Sequence, residues 1–177
     1  MLNLNELFEV KKVLVKFAKR VISRSRANLT RSKKNVNKSL YNSLDSKIKV
    51  SNKGYSLKFL MEDYGQYQDQ GVKGKNPSLV KNGKQKGGNS KFSFKNKMPP
   101  MQPLADWAKA RHIRLRDKKG RFKRGSYKTL GFILQKRIFA QGIKPSLFFT
   151  RPFESAFRDL PDDLSDGLIK DFNKIMT

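Results

Sequence analysis

The sequence has no cysteine and a single histidine, His112, in 177 residues. Disulfide frameworks and thiolate metal sites are therefore excluded, as is any arrangement that needs two imidazoles. Long apolar runs are also missing. The longest hold three to five residues, such as Val13-Leu14-Val15 and Phe132-Ile133-Leu134, far short of the roughly 18 to 20 that a bilayer span requires. A soluble protein with no membrane partner is expected. The first nine residues carry two Glu and no Lys or Arg, unlike the basic and apolar regions of a secretory signal, so synthesis in the cytoplasm is expected. Acidic residues are scarce: 14 Asp plus Glu face 40 Lys plus Arg, a net charge of +26. That excess makes a compact monomer repel itself and calls for an anionic neighbour.

The patterns of common catalytic sites are absent too. There is no GxxxxGK[ST] phosphate loop, no GxSxG elbow and no HExxH, so no enzyme activity, cofactor or metal is expected. Gly87-Gly88 lies in a polar stretch without the strand-to-helix setting that aims backbone amides at phosphate. Glu62-Asp63 reads as a solvated pair. An endonuclease with Glu62, Asp63 and Asp69 as metal ligands is the remaining catalytic reading, and it requires magnesium-dependent cleavage that alanine at Asp63 abolishes.

What is present suffices for a core. The apolar fraction is 37%, including 13 Phe, 5 Tyr and 1 Trp, and a chain of this length buries roughly two thirds of its unfolded surface, which predicts a single domain over residues 1–177. Leu7, Val10, Leu14, Phe17 and Val21 recur at helical steps, with Lys12, Lys16, Lys19, Arg20 and Arg24 opposite, predicting a long amphipathic helix over about 4–27. Such a helix suits membrane or nucleic acid, but a core-facing stripe with a solvated basic back explains it more simply. Lys47-Ile48-Lys49-Val50 and Tyr55-Ser56-Leu57-Lys58-Phe59 alternate around Asn52-Lys53-Gly54, predicting a half-buried hairpin over 45–62.

From Gly71 to Pro103 there are eight Lys, five Gly and no acid; a long basic loop is predicted over 72–98. Pro103 suits the first turn of a short helix with Leu104 and Trp107, and Trp107 reads as a core anchor. Residues 114–125 hold seven basic groups around Gly120 and read as a basic loop or hairpin. Ser126 is a fitting N-cap for a helix through Leu130, Ile133, Leu134 and Ile138 that stops at Gly142. Phe148-Phe149 read as a strand. A last helix over 163–175 uses Leu164, Leu168, Phe172 and Ile175, with Asp162 and Asp163 at its positive end. The fold class is α+β: a small antiparallel sheet flanked by the long N-terminal helix and further helices, with long basic loops.

Charge is uneven along the chain. Residues 10–61 carry 15 basic groups and one acidic, 107–151 carry 14 and one, and 152–177 reverse the sign with six acidic and three basic. The candidate contacts to DNA or to neighbouring subunits are Lys73, Lys75, Lys81, Lys84 and Lys86 in the long loop. A second set, Arg114, Arg116, Lys118, Lys119, Arg121, Lys123 and Arg124, surrounds Phe122. Their attraction to phosphate would be non-specific and salt-sensitive. Aromatics between the cations, Phe92, Phe94 and Phe122, suit either stacking on single strands or docking onto a neighbouring subunit.

Read in order, several segments resemble the tail-completion and neck proteins of tailed bacteriophages. Ser39, Leu40, Tyr41, Asn42 and Ser43 occupy the place of that family's "G-x-L-x-x-S" approach to a sheet, without its glycine. Tyr64, Tyr67, Asp69 and Gly71 resemble "Y-A-x-Y-x-E-x-G", with Gly65 for Ala and Asp69 for Glu. Pro99 with Met98 and Pro100, then Trp107, resemble "MPP…L…W". Gly142, Ile143, Pro145, Phe148, Phe149 and Ala156, with Pro152 between, resemble "G-I-x-P-x-x-F-F-x-x-A". The match covers about residues 36–160. It implies a virion subunit without catalysis that forms a homo-oligomeric ring at the neck or tail. Portal or connector proteins would lie on one side and tail proteins on the other, with non-specific contact to packaged DNA. The alternative is a non-specific nucleic-acid-binding protein of ribosomal or architectural type, resting on the charge alone.

Overall fold

The computed structural model describes residues 7–32, 36–51, 54–76, 86–87 and 89–176. In chain order the elements are α1 (Phe8–Arg31), α2 (Ser39–Ser43), β1 (Asp45–Ser51), β2 (Gly54–Leu60), α3 (Tyr64–Gln70), β3 (Val72–Lys73), α4 (Met101–Ala110), α5 (Tyr127–Gln141), β4 (Gly142–Ile143), α6 (Thr150–Phe157) and α7 (Leu160–Met176). The protein is α+β, with two antiparallel two-stranded sheets, β1-β2 and β3-β4. Within it the chain divides into two compact units, Met1–Glu62 with Leu147–Thr177, and Asp63–Ser146.

The first unit is built on apolar side chains. The stripe on α1 is buried as the periodicity predicts, through Val10, Leu14, Phe17 and Val21, and the helix continues past the expected end at 27 because Leu29 is fully buried one turn further on. Ile48, Leu57, Phe59 and Tyr55 of the hairpin pack against this stripe with Phe149, Phe153 and Leu164. The register, Ile48 opposite Leu57 and Val50 opposite Tyr55, puts the apolar residues on one face; Asn52 and Lys53 lie outside the described residues. Four phenylalanines interlock there, with Phe17 and Phe59 both edge-on to Phe153 at 5.7 and 5.9 Å and Phe59 edge-on to Phe149 at 5.2 Å, a favourable ring geometry. Leu29, Leu40, Leu44 and Phe148 form a second cluster. It gathers isolated apolar residues from a stretch whose sequence reads as polar.

The helix α7 corrects the expected stripe. Its buried residues are Leu160, Gly167 and Asp171, while Leu168, Ile169, Phe172 and Ile175 are exposed. The reason lies at the start of α1, whose N-cap, Leu7, has no side chain that can accept a bond. Asp171 supplies the missing acceptors, with Oδ1 taking the amide of Glu9 and Oδ2 that of Val10, both at 2.9 Å. Unsatisfied amides at a helix start attract a carboxylate both by hydrogen bonding and by the helix dipole. Gly167 then lets the helices approach, with a hypothetical Cβ only 3.3 Å from a Val13 methyl.

The second unit is built largely from backbone. The stretch predicted as a long loop over 72–98 is tied down where it is described. Val72 and Lys73 pair with Ile143 and Gly142, Lys73 donates to Phe92 O and accepts from Phe94 N at 2.8 and 3.0 Å, and Lys86 N donates to Gln141 O at 3.0 Å. Gly142 ends α5 with φ of 81° where a Cβ would run into the carbonyl oxygen of Val72 and the backbone of Gly74 and Lys86. Only glycine fits. The helix α5 starts as predicted, with Ser126 Oγ accepting from Thr129 N at 3.1 Å. Its Gly131 sits against α4, where a Cβ would be 2.8 Å from that of Ala105. Small residues, Ala105 and Ala108, therefore form the buried face of α4, and Trp107 is 41% exposed rather than a core anchor. Ile133 is exposed as well.

Phe148 and Phe149 are not a strand. In the first unit, Leu147 takes a positive φ of 50°, which breaks the extended path, and the two rings enter the turn ahead of α6.

Candidate functional site

The seven-cation segment folds as a small hairpin organised by its one acid. Lys123 N donates to Leu115 O at 3.0 Å and Asp117 N to Arg121 O at 2.9 Å, and Arg116 bridges Phe122 as an antiparallel pair. Asp117 Oδ1 accepts from the amides of Lys119 and Arg121, each at 2.9 Å, and Oδ2 from Arg121 Nε at 3.2 Å. An Asp opening a turn three residues before a Gly favours this bonding. Gly120, at φ of 81°, presents its carbonyl to Arg116 Nη1 at 2.8 Å. Phe122 is 64% exposed, with the guanidinium carbons of Arg116 and Arg114 lying 4.4 and 5.7 Å from its ring centre. Asp117 is thus spent on Arg121 and the turn. Arg114, Arg116, Lys118, Lys119, Lys123 and Arg124 all remain exposed.

A second basic surface lies in the first unit. An open groove of about 1560 Å³ is lined by α1, β1 and α6, with Lys11, Lys19, Arg24, Arg31 and Arg151 among its residues and Asp45 as the one carboxylate among the described residues that line it. Arg26, also in the lining, is occupied structurally. It donates to Tyr41 O at 3.1 Å and Leu44 O at 2.9 Å and lies 5.1 Å from the Tyr41 ring centre.

Among the described residues, the long-loop lysines are held individually. Lys73 is half-buried in its strand, Lys75 Nζ reaches Asn96 Oδ1 at 3.3 Å and lies over Phe139, and Lys86 is held by its amide. Lys81 and Lys84 lie outside the described residues.

The motif residues separate by unit. Tyr41, Asn42, Ser43, Phe148, Phe149 and Pro152 belong to the first, where Ser43 Oγ accepts from Glu62 N at 3.0 Å. In the second, Ser146 N donates to Asp69 O and Gln68 O, Ser90 Oγ donates to Gly71 O at 2.7 Å, and the Gly71 backbone lies against Pro145. Asp69 is buried. Tyr64 and Tyr67 are exposed, the latter edge-on to Phe92 at 4.7 Å. Pro99 O accepts from Gln135 Nε2 at 2.7 Å. These roles are architectural: they join short backbone segments that no periodicity marks.

Among the described residues no three His, Asp or Glu side chains gather where they could hold a metal ion, and no helix is long and apolar enough to cross a membrane. Among the described residues, the perturbed groups lie around the start of α1, on α1, β2 and α7. Hydrogen bonds from Lys174 and Lys12 hold the Glu9 carboxyl down to about 2 from an ordinary 4.5, and the Glu9 bond raises Lys174 in turn. Burial, then the charge of Asp171, raises Tyr55, whose hydroxyl donates to Leu7 O at 2.9 Å.

No protein-family model, curated protein or solved structure matches the chain.

Proposed function

We propose that this chain is a virion structural subunit of a tailed bacteriophage, one copy in an oligomeric ring at the head–tail junction, with connector and tail proteins as its neighbours. The observation that carries the reading is the outer face of α7. Leu168, Ile169, Phe172 and Ile175 form an apolar stripe on the last helix, with Ile169 58% exposed, and contiguous apolar surface of this kind marks an association site. The order of the four motif segments along the chain supports the same reading. So does the β1-β2 pair, which has no third strand among the described residues and ends in two edge strands, a setting for pairing between copies.

Native mass spectrometry and negative-stain microscopy of the purified protein test the proposal. A closed oligomer of uniform copy number is expected. The double substitution Ile169→Asp/Phe172→Asp, on exposed positions, should reduce it to single subunits with unchanged far-UV circular dichroism. A wild-type chain that stays single in ordinary buffer, and is missing from purified particles by peptide mass spectrometry, would overturn the assignment.

A further inference from the structure

The hairpin over residues 114–124 has a use that the assembly reading does not require. Its cations are exposed, its single acid is consumed within the turn, and its backbone is bonded across both arms. A set of charges held in place by such a scaffold loses less freedom on binding than one on a loose loop. Phe122 contributes by position: its ring carries the Arg116 guanidinium at 4.4 Å and that of Arg114 at 5.7 Å. With cations over the ring, Phe122 serves as a prop for two guanidinium groups and not as a platform for bases.

The magnitude of the charge decides between partners. The acidic stretches are short: residues 59–72 hold three acidic and no basic groups and residues 152–177 six acidic and three basic, each a net of −3 against +26 for the whole. A second copy therefore cannot neutralise the first, and gathering copies increases the repulsion. A polymer with one negative charge about every 1.7 Å of its axis can. We propose that this hairpin is a contact to the phosphate backbone of duplex nucleic acid, made without base recognition, with Phe122 as a positioning residue for Arg114 and Arg116.

The test is fluorescence anisotropy of the full chain with a labelled duplex of arbitrary sequence, measured across a salt series. The variant Lys118→Gln/Lys119→Gln/Lys123→Gln removes the charge of three exposed side chains that take no part in the hairpin's side-chain bonds. It should flatten the log–log salt slope by about 2 to 3, since each lost phosphate contact is worth about 0.9. A charge-matched control in the groove, Lys11→Gln/Lys19→Gln/Arg24→Gln, should change the slope by less than about 1, within the worth of a single contact. Phe122→Ala should weaken binding and Phe122→Tyr restore it, with the thermal midpoint unchanged in both. Equal effects of the two triple variants would mean diffuse attraction and overturn the proposal. So would a hairpin variant that keeps full duplex binding but loses self-association, which would make the hairpin a protein contact. The proposal needs a polyanion and no ring. A single subunit that binds duplex through this hairpin would sink the assembly reading and leave this one standing.

Discussion

The two compact units reach their folds by different physics. In the first, apolar side chains supply the contacts: α1 buries a continuous stripe, and three phenylalanines, Phe59 of the hairpin, Phe153 of α6 and Phe149 of the turn before it, close over that stripe around Phe17. In the second, few large side chains are buried among the described residues. Short segments meet through main-chain hydrogen bonds, at positions where glycine or alanine lets backbones come close. Side-chain cores announce themselves as periodicity, whereas backbone junctions leave only scattered glycines.

Several substitutions sharpen or break that contrast. The largest effect is expected for Phe148→Ala, since its ring is 1% exposed within the Leu29, Leu40, Leu44 cluster; a loss of about 3–5 kcal/mol is expected from denaturant titration. Gly142→Ala tests the second unit. Positive φ and clashes with surrounding backbone should together cost about 2–4 kcal/mol, with faster hydrogen exchange at the Lys73 and Lys86 amides. If Gly142→Ala is tolerated without loss, the backbone account of that unit fails.

Two further changes probe polar groups inside the first unit. Asp171→Ala leaves the α1 amides of Glu9 and Val10 without their carboxylate, at an expected cost of about 2–3 kcal/mol in the same titration. Ser25 is fully buried with no partner for its hydroxyl among the described residues, so Ser25→Ala should raise stability by about 1 kcal/mol; a lower thermal midpoint would contradict this.

The smallest effect concerns pH. Because the Glu9 carboxyl titrates near 2 in the folded chain instead of 4.5, its contribution is fully present above 4.5 and disappears as pH falls toward 2. The thermal midpoints of wild type and Glu9→Gln should therefore differ by a constant amount above 4.5 and converge toward 2.

Legibility followed the same division. The α1 stripe, the hairpin register and both ends of α5 could be read because each rests on spacing or on a capping residue with a local partner. The face of α7 could not. Its hydrophobics at Leu168, Phe172 and Ile175 predict one stripe, yet the helix turns Gly167 and Asp171 inward because the start of α1 lacks its own cap. Trp107 misled for a related reason: α4 approaches α5 across Ala105 and Gly131, too closely for an indole. Within the basic hairpin, the Asp117 to Gly120 spacing was the available sign of an ordered turn.

Composition and local pattern alone determined the excess of positive charge, the α+β class and the course of the longest helix, because these depend on residue type and near neighbours. The tertiary structure decided the division into two units, the outward apolar face of α7 and the reach of Asp171 back to α1. Each of those depends on which distant backbone groups were left needing a partner, and no local spacing encodes that.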